Sequence, residues 1–204
     1  MIASRTLRVA QANLRRGPET QLSLLNDQSL RSCDLLLDSE PYVFLMDGAI
    51  CSHTHTHWTP LWPSRRHQPS GRMRPYRSMI WVNKITFPHR QINVPSPDIT
   101  AVLILTPSPT LIVSVYVPPE GGPNGIRSLT QVLEAIRQVY RRVQRDHTDQ
   151  VDILIGGDFN RHDQFWGGGR PSGHAYPSRR SRTNSTPDGR LELDKLTTTG
   201  DYHI

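Results

Sequence analysis

Two apolar runs, TAVLILT at 100–106 and TLIVSVYV at 110–117, flank the tripeptide Pro107-Ser108-Pro109. No other feature of the 204-residue chain restricts its fold as tightly. Runs this rich in β-branched residues read as strands, and the proline-bounded break reads as a turn, so the spacing predicts an antiparallel hairpin. The next segment is helical. Across 126–145, Ile126, Leu129, Val132, Leu133, Ile136, Val139, Tyr140 and Val143 recur at helical spacing and form one apolar stripe. Arg137, Arg141, Arg142 and Arg145 occupy the remaining face, which is read as solvated. VDILI at 151–155 then reads as a buried strand.

The front half repeats this mixture. Residues 6–13 alternate as a first strand, 18–31 carry Leu22, Leu25 and Leu30 in a helix starting near Thr20, and DLLL at 34–37 is a short strand stopped at Pro41. Residues 48–77 read as long loops around a ragged strand, followed by the strand RSMIWVNK at 77–84. PPEGGPNG at 118–125 is a loop, 167–190 a flexible basic loop, and 190–200 the beginning of a last helix, with no closing strand after it. Hairpins mixed with helices predict an α/β fold in which two packed mixed or antiparallel sheets are flanked by helices, not a doubly wound parallel sheet.

Charge narrows the partner. The chain carries 24 Lys and Arg against 18 Asp and Glu, a net charge of +6, which favours nucleic acid. No acid occurs between Asp47 and Asp98, a span that holds Arg65, Arg66, Arg72, Arg74, Arg77, Lys84 and Arg90 together with Trp58, Trp62, Tyr76 and Trp81. Cations interleaved with aromatics suit a phosphate backbone with unstacked bases beside it. A second cluster, 170–190, has Asp188 as its single acid. Two cysteines, Cys33 and Cys51, imply no disulfide framework, and neither a signal peptide nor a membrane span is evident, so the expectation is a soluble intracellular protein.

Four apolar runs end in a residue suited to oxygen chemistry: Asn13 after RVAQA, Glu40 after DLLLDS, Tyr116 within SVYVPP, and Asp158 with Asn160 after DILIGG. Strand ends converge at the rim of a sheet, where clefts form. A carboxylate such as Glu40 is a hard ligand for Mg2+. An Asp orients or deprotonates an attacking water, and Asn and Tyr donate to phosphate oxygens. Each of these residues taken singly also suits an ordinary turn or strand end. His53, His55 and His57 alternate in HTHTH and would share one face of a strand, but no fourth metal ligand accompanies them, and a solvent-facing role is the better reading.

Asn13, Glu40-Pro41, Tyr116-Val117-Pro118 and Gly157-Asp158-Phe159-Asn160, in this order, resemble the serial motifs of the endonuclease/exonuclease/phosphatase superfamily. Within it, GGDFNRHDQFWGG is most similar to the apurinic-like endonuclease domain of non-LTR (LINE-type) retrotransposons; the resemblance runs from about residue 6 to about residue 168. It implies a DNase I-like four-layer sandwich and Mg2+-dependent hydrolysis of a phosphodiester, with Mn2+ as an alternative. The outcome is a nick in DNA whose 3′ hydroxyl primes reverse transcription. It also implies a reverse transcriptase domain in the parent polyprotein and a nuclear location. Carried over, Glu40 holds the metal with Asn13 beside it, Asp158 activates water, and Asn160 and Tyr116 grip the scissile phosphate. His162, Arg72, Arg74 and Arg77 are the candidate DNA contacts.

Two departures qualify the resemblance. Ser39 stands where such domains often have Gln, and the sequence contains no Ser-Asp-His run, the late segment whose His stabilises the transition state. The expectation is a single domain over 1–204, incomplete at its C-terminal end and lacking its last strands. Because loss of such a donor costs about two to three orders of magnitude in rate, little or no nuclease activity is expected of it. The alternatives are a non-catalytic nucleic-acid-binding remnant and a phosphatase acting on a small phosphorylated substrate.

Overall fold

The computed structural model describes residues 6–47, 49–63, 76–85, 87–119, 129–147, 150–160 and 200–202. Strand β1 (Leu7–Asn13) leads through α1 (Pro18–Asn26) and a 3-10 turn (Gln28–Ser32) into β2 (Leu35–Ser39). Then come β3 (Phe44–Met46), β4 (Ala49–Cys51), β5 (Trp58–Leu61), β6 (Ser78–Asn83), β7 (His89–Ile92), β8 (Ile99–Ile104) and β9 (Thr110–Tyr116). Helix α2 (Leu129–Asp146), β10 (Asp152–Asp158) and β11 (Gly200–Tyr202) follow. One sheet has the order β11-β1-β2-β6-β5, the other β10-β9-β8-β7, and β3 pairs with β4 alone.

The strands form four layers with the helices because their two faces differ. In the first sheet Ala10, Leu36, Met79 and Trp81 pack under Leu24 and Leu25 of α1, while Leu7, Val9, Leu35, Leu37, Ile80 and Val82 turn to the second sheet. There they meet Val102, Ile104 and Ile112, whose alternate neighbours Ala101, Leu103, Leu111 and Val113 pack under Val132, Ile136, Val139 and Val143 of α2. The side-chain period of two along a strand produces this division. The two-sheet sandwich flanked by helices agrees with the architecture expected from sequence.

Both sheets are mixed. β1 runs parallel to β2 across α1, and β9 parallel to β10 across α2, whereas the other pairs are antiparallel. A parallel pair needs such a crossover, and its two strands then end on the same side. Both pairs send their C-terminal ends to one rim: Asn13 is level with Ser39, and Asp158 with Tyr116. The expected hairpin over 100–117 is present, with Ile104 opposite Thr110.

Several expectations are corrected. The helix predicted over 18–31 begins at Pro18 and gives way to the 3-10 turn at Asp27, whose carboxylate accepts from the Ser29 N–H. The 48–77 span contains β4 and β5. Trp58, Tyr76 and Trp81 are buried in the core, so they are not base-stacking groups; alternation on β5 and β6 puts both tryptophans under α1. β10 is not a fully buried strand: Ile153 and Ile155 are exposed, because among the described residues its single hydrogen-bonded neighbour is β9. A terminal strand was not foreseen, yet β11 pairs antiparallel with β1. The loop at 167–190 and the helix expected from 190 lie outside the described residues, apart from Gly200, which is in β11. No helix among the described residues is long and apolar enough to cross a membrane.

Candidate active site

The layer between the sheets changes character along the strands. At one end it is Leu and Val. Toward the common rim it becomes a neck of buried hydroxyls: Ser39, Ser78, Thr100 and Ser114. Ser78 Oγ donates to the Ser114 carbonyl at 2.8 Å, and Thr100 Oγ1 donates to the Ser78 carbonyl at 3.1 Å. Ser39 Oγ accepts from the Asp158 N–H at 3.1 Å and donates to the Val115 carbonyl at 3.4 Å, which joins the sheets directly beneath the rim. Small hydroxyl side chains let the sheets approach while satisfying buried backbone groups.

Two glycines precede Asp158, each for a different reason. A Cβ on Gly156 would stand 2.7 Å from Leu37 Cδ1 of the facing sheet. Gly157 has φ of 144°, and a Cβ there would stand 1.9 Å from the Val115 carbonyl oxygen. Gly156 therefore lets the two sheets close on each other before Asp158, and Gly157 is required by its own backbone conformation against β9 of the same sheet.

Above the neck the predicted side chains gather. Asn13 Nδ2 donates to Asp158 Oδ2 at 2.6 Å, and Asn13 Oδ1 accepts from the Arg15 N–H at 3.0 Å. Asp158 Oδ1 accepts from the Asn160 N–H at 2.9 Å, and Asn160 Nδ2 donates to the Val117 carbonyl at 2.9 Å. Phe159, between them, turns to the core under α2 and anchors the loop. Burial pushes the Tyr116 hydroxyl above its ordinary pKa; the Glu40 and Asp158 carboxylates push it further the same way, against Arg77 and a hydrogen bond with the Asn160 side chain. Tyr116 thus remains a hydrogen-bond donor through the neutral range.

Glu40 has φ of 50° and Asn160 φ of 46°, left-handed conformations unusual for non-glycine residues and frequent at functional sites. The Glu40 backbone is held from both sides: its N–H donates to the Arg77 carbonyl at 2.9 Å, and its carbonyl accepts from the Arg16 N–H at 2.8 Å. Its partly exposed carboxylate lies 3.7 Å from Arg16. Among the described residues the donors here are oxygen and amide groups, without sulfur or imidazole, which suits a hard cation rather than zinc. Among the described residues no group of three or more His, Cys, Asp or Glu could hold a metal.

Other expected contacts fare differently. Arg77 is held by Asp98 through Nε at 2.7 Å and Nη2 at 2.9 Å, and its guanidinium covers the Tyr116 ring 4.9 Å from its centroid. It braces Tyr116 instead of extending toward DNA. Arg72, Arg74 and His162 lie outside the described residues. His53 stacks on Tyr42, and His55 pairs with His57 at 5.6 Å between centroids. Sequence reasoning missed Ser39, Asp98 and Arg16. Only the positions of Ser39 and Arg16, next to Glu40 and Asn13, offered a signal.

Residues 110–186 match a family described as endonuclease-reverse transcriptase. Among solved structures the chain is similar to the endonuclease domain of TRAS1, a telomere-specific non-LTR retrotransposon, with TM-score 0.57 and 23% identity over 80% of this chain. A second match, SmcL, has TM-score 0.43 and 11% identity over 76% of this chain. This chain spans 64% of each of those two structures. Among curated proteins none matches. The chain has the fold of the TRAS1 endonuclease domain, and its segment from the start of β9 through the Asp158 loop matches the endonuclease-reverse transcriptase family.

Proposed function

We propose that this chain is the endonuclease domain of a retrotransposon polyprotein and hydrolyses a DNA phosphodiester with the help of Mg2+ or Mn2+. The observation that carries the reading is the meeting of Asn13, Glu40, Tyr116, Asp158 and Asn160 at one rim, sealed by the 2.6 Å bond between Asn13 and Asp158. Glu40 would hold the cation, whose charge would offset the negative charge that builds on the nonbridging oxygens in the transition state. Asp158 takes the proton of the attacking water, its carboxylate oriented by Asn13 and by the Asn160 N–H. Tyr116 donates its hydroxyl to a nonbridging oxygen, and Asn160 fixes the same phosphate. Water adds at phosphorus as the bond to the 3′ oxygen breaks; the phosphate stays on the 5′ end, and the leaving oxygen, protonated from solvent, becomes the 3′ hydroxyl that a reverse transcriptase of the same polyprotein extends. Such a substrate is nuclear DNA.

Asn13 is a positioning residue in this scheme, because both ends of its amide are engaged within the protein. The test is conversion of supercoiled plasmid to open circles at high protein concentration with and without chelator. Slow, chelator-sensitive nicking that disappears in Glu40→Gln and Asp158→Asn supports the proposal. Nicking that survives both substitutions contradicts it. Salt-sensitive DNA binding with no nicking at all supports the second reading, a non-catalytic DNA-binding protein.

A further inference from the structure

The turn after β1 aims an arginine at Glu40 that the fold does not require. Arg15 and Arg16 are consecutive non-glycine residues at φ of 48° and 59°. That conformation persists only where its surroundings over-determine it. Here they do: the Leu14 N–H donates to the Ser39 carbonyl at 2.9 Å, the Arg16 N–H to the Glu40 carbonyl at 2.8 Å, and the Gly17 N–H to the Leu14 carbonyl at 2.9 Å. The strained turn is thereby clamped along the end of β2. Its outcome is a guanidinium whose Nη2 stands 3.7 Å from Glu40 Oε1, with the Arg16 side chain 52% exposed. A single, half-exposed contact of that length adds little to stability, so the Arg16 guanidinium is not needed to hold the turn that its backbone already fixes.

We propose that Arg16 is a phosphate-binding residue that Glu40 holds in reserve. This rests on the nuclease reading above. The guanidinium partly offsets the Glu40 charge. A cation bound to Glu40 competes with Arg16 for the carboxylate and frees it to turn to the nonbridging oxygens of a phosphodiester seated between Glu40 and Asp158. The planar fork of an arginine suits those oxygens. Arg77 is not available for the task, since Asp98 holds two of its nitrogens beneath Tyr116.

The consequence is a pair of opposite effects that a merely structural residue does not produce. In Arg16→Gln, with circular dichroism unchanged, Mn2+ measured by titration calorimetry binds about threefold more tightly, because the competing charge is gone. In the same variant, placed in an Asp158→Asn background to block turnover, a short labelled duplex at saturating Mn2+ binds about tenfold more weakly by anisotropy. Arg16→Lys falls between the two. Unchanged or weaker Mn2+ binding in Arg16→Gln, or unchanged duplex binding, overturns the proposal. Glu40→Gln separates the two levels: if it binds Mn2+ as tightly as the unsubstituted chain, the nuclease reading itself fails and takes this proposal with it.

Discussion

Asn13 and Asp158 lie 145 residues apart, on different sheets, and their side chains meet at 2.6 Å. The bond spans the open rim of the sandwich, and Asn13 is itself fixed by the Arg15 N–H at 3.0 Å. The fold therefore presents Asp158 in one orientation before any substrate arrives.

Removing that restraint acts on geometry more than on folding. Asn13→Ala deletes a hydrogen bond to a charged acceptor worth about 1.5–3 kcal/mol at most, less at an exposed rim. The expected result is a drop of about tenfold in the nicking rate, with the urea midpoint only slightly lowered. Asn13→Asp is worse, because two carboxylates at this separation cannot both ionise. Its thermal stability falls relative to the unsubstituted chain as pH rises through the carboxylate range, which differential scanning fluorimetry measures.

Ser39 is fully buried and serves the Asp158 N–H and the Val115 carbonyl together. Ser39→Ala leaves both without that partner at the seam between the sheets. The expected loss is about 1–3 kcal/mol in urea unfolding, with a fall in nicking larger than that of an equally destabilised core variant, because Asp158 shifts.

Gly157 tolerates nothing larger. In Gly157→Ala the new methyl group falls on the Val115 carbonyl oxygen while φ stays at 144°. A destabilisation of about 4 kcal/mol or more is expected, seen as insoluble protein or a lost thermal transition. Gly156→Ala meets only the flexible tip of Leu37 and costs less.

Asp38 is buried beside Trp81, whose Nε1–H donates to its Oδ2 at 2.8 Å, while Oδ1 has no partner among the described residues. Burial pushes its carboxyl up to about 8, against the lowering effect of Trp81, from an unperturbed 3.8. A raised folded pKa means that its stability is fully present below about 4 and is lost as pH rises toward about 8, where the unfolded chain ionises freely and the folded one resists. Asp38→Asn keeps an acceptor for Trp81 and abolishes the ionisation. The variant should gain on the unsubstituted chain between pH 5 and pH 8, by on the order of a few kcal/mol at the upper end, and thermal melts across that range measure the difference.

The sequence revealed what local pattern controls. The strand pairing around Pro107-Ser108-Pro109 and the apolar stripe of α2 follow from periodicity, and the acids and amides at strand ends stand out because no strand needs them. What long-range packing decides stayed hidden. The run at 151–155 is apolar yet partly exposed, since a strand's place in its sheet is not written in its own residues. Trp58 and Trp81 sit among cations in sequence but under a helix in space. Arg77 reads as a DNA contact until Asp98, 21 residues away, is seen to hold it. The turn closed by Gly17 has no glycine at Arg15 or Arg16, its two left-handed positions.

The central claim is that one divalent cation is held by Glu40 within reach of Asp158. Anomalous diffraction from a crystal of the whole chain soaked in Mn2+ measures this most directly. The account predicts a peak about 2.0–2.2 Å from the Glu40 carboxylate, on the side facing Asp158, that disappears in Glu40→Gln. A peak at His53, His55 or His57 with none at Glu40, or a rim peak that persists in Glu40→Gln, contradicts it.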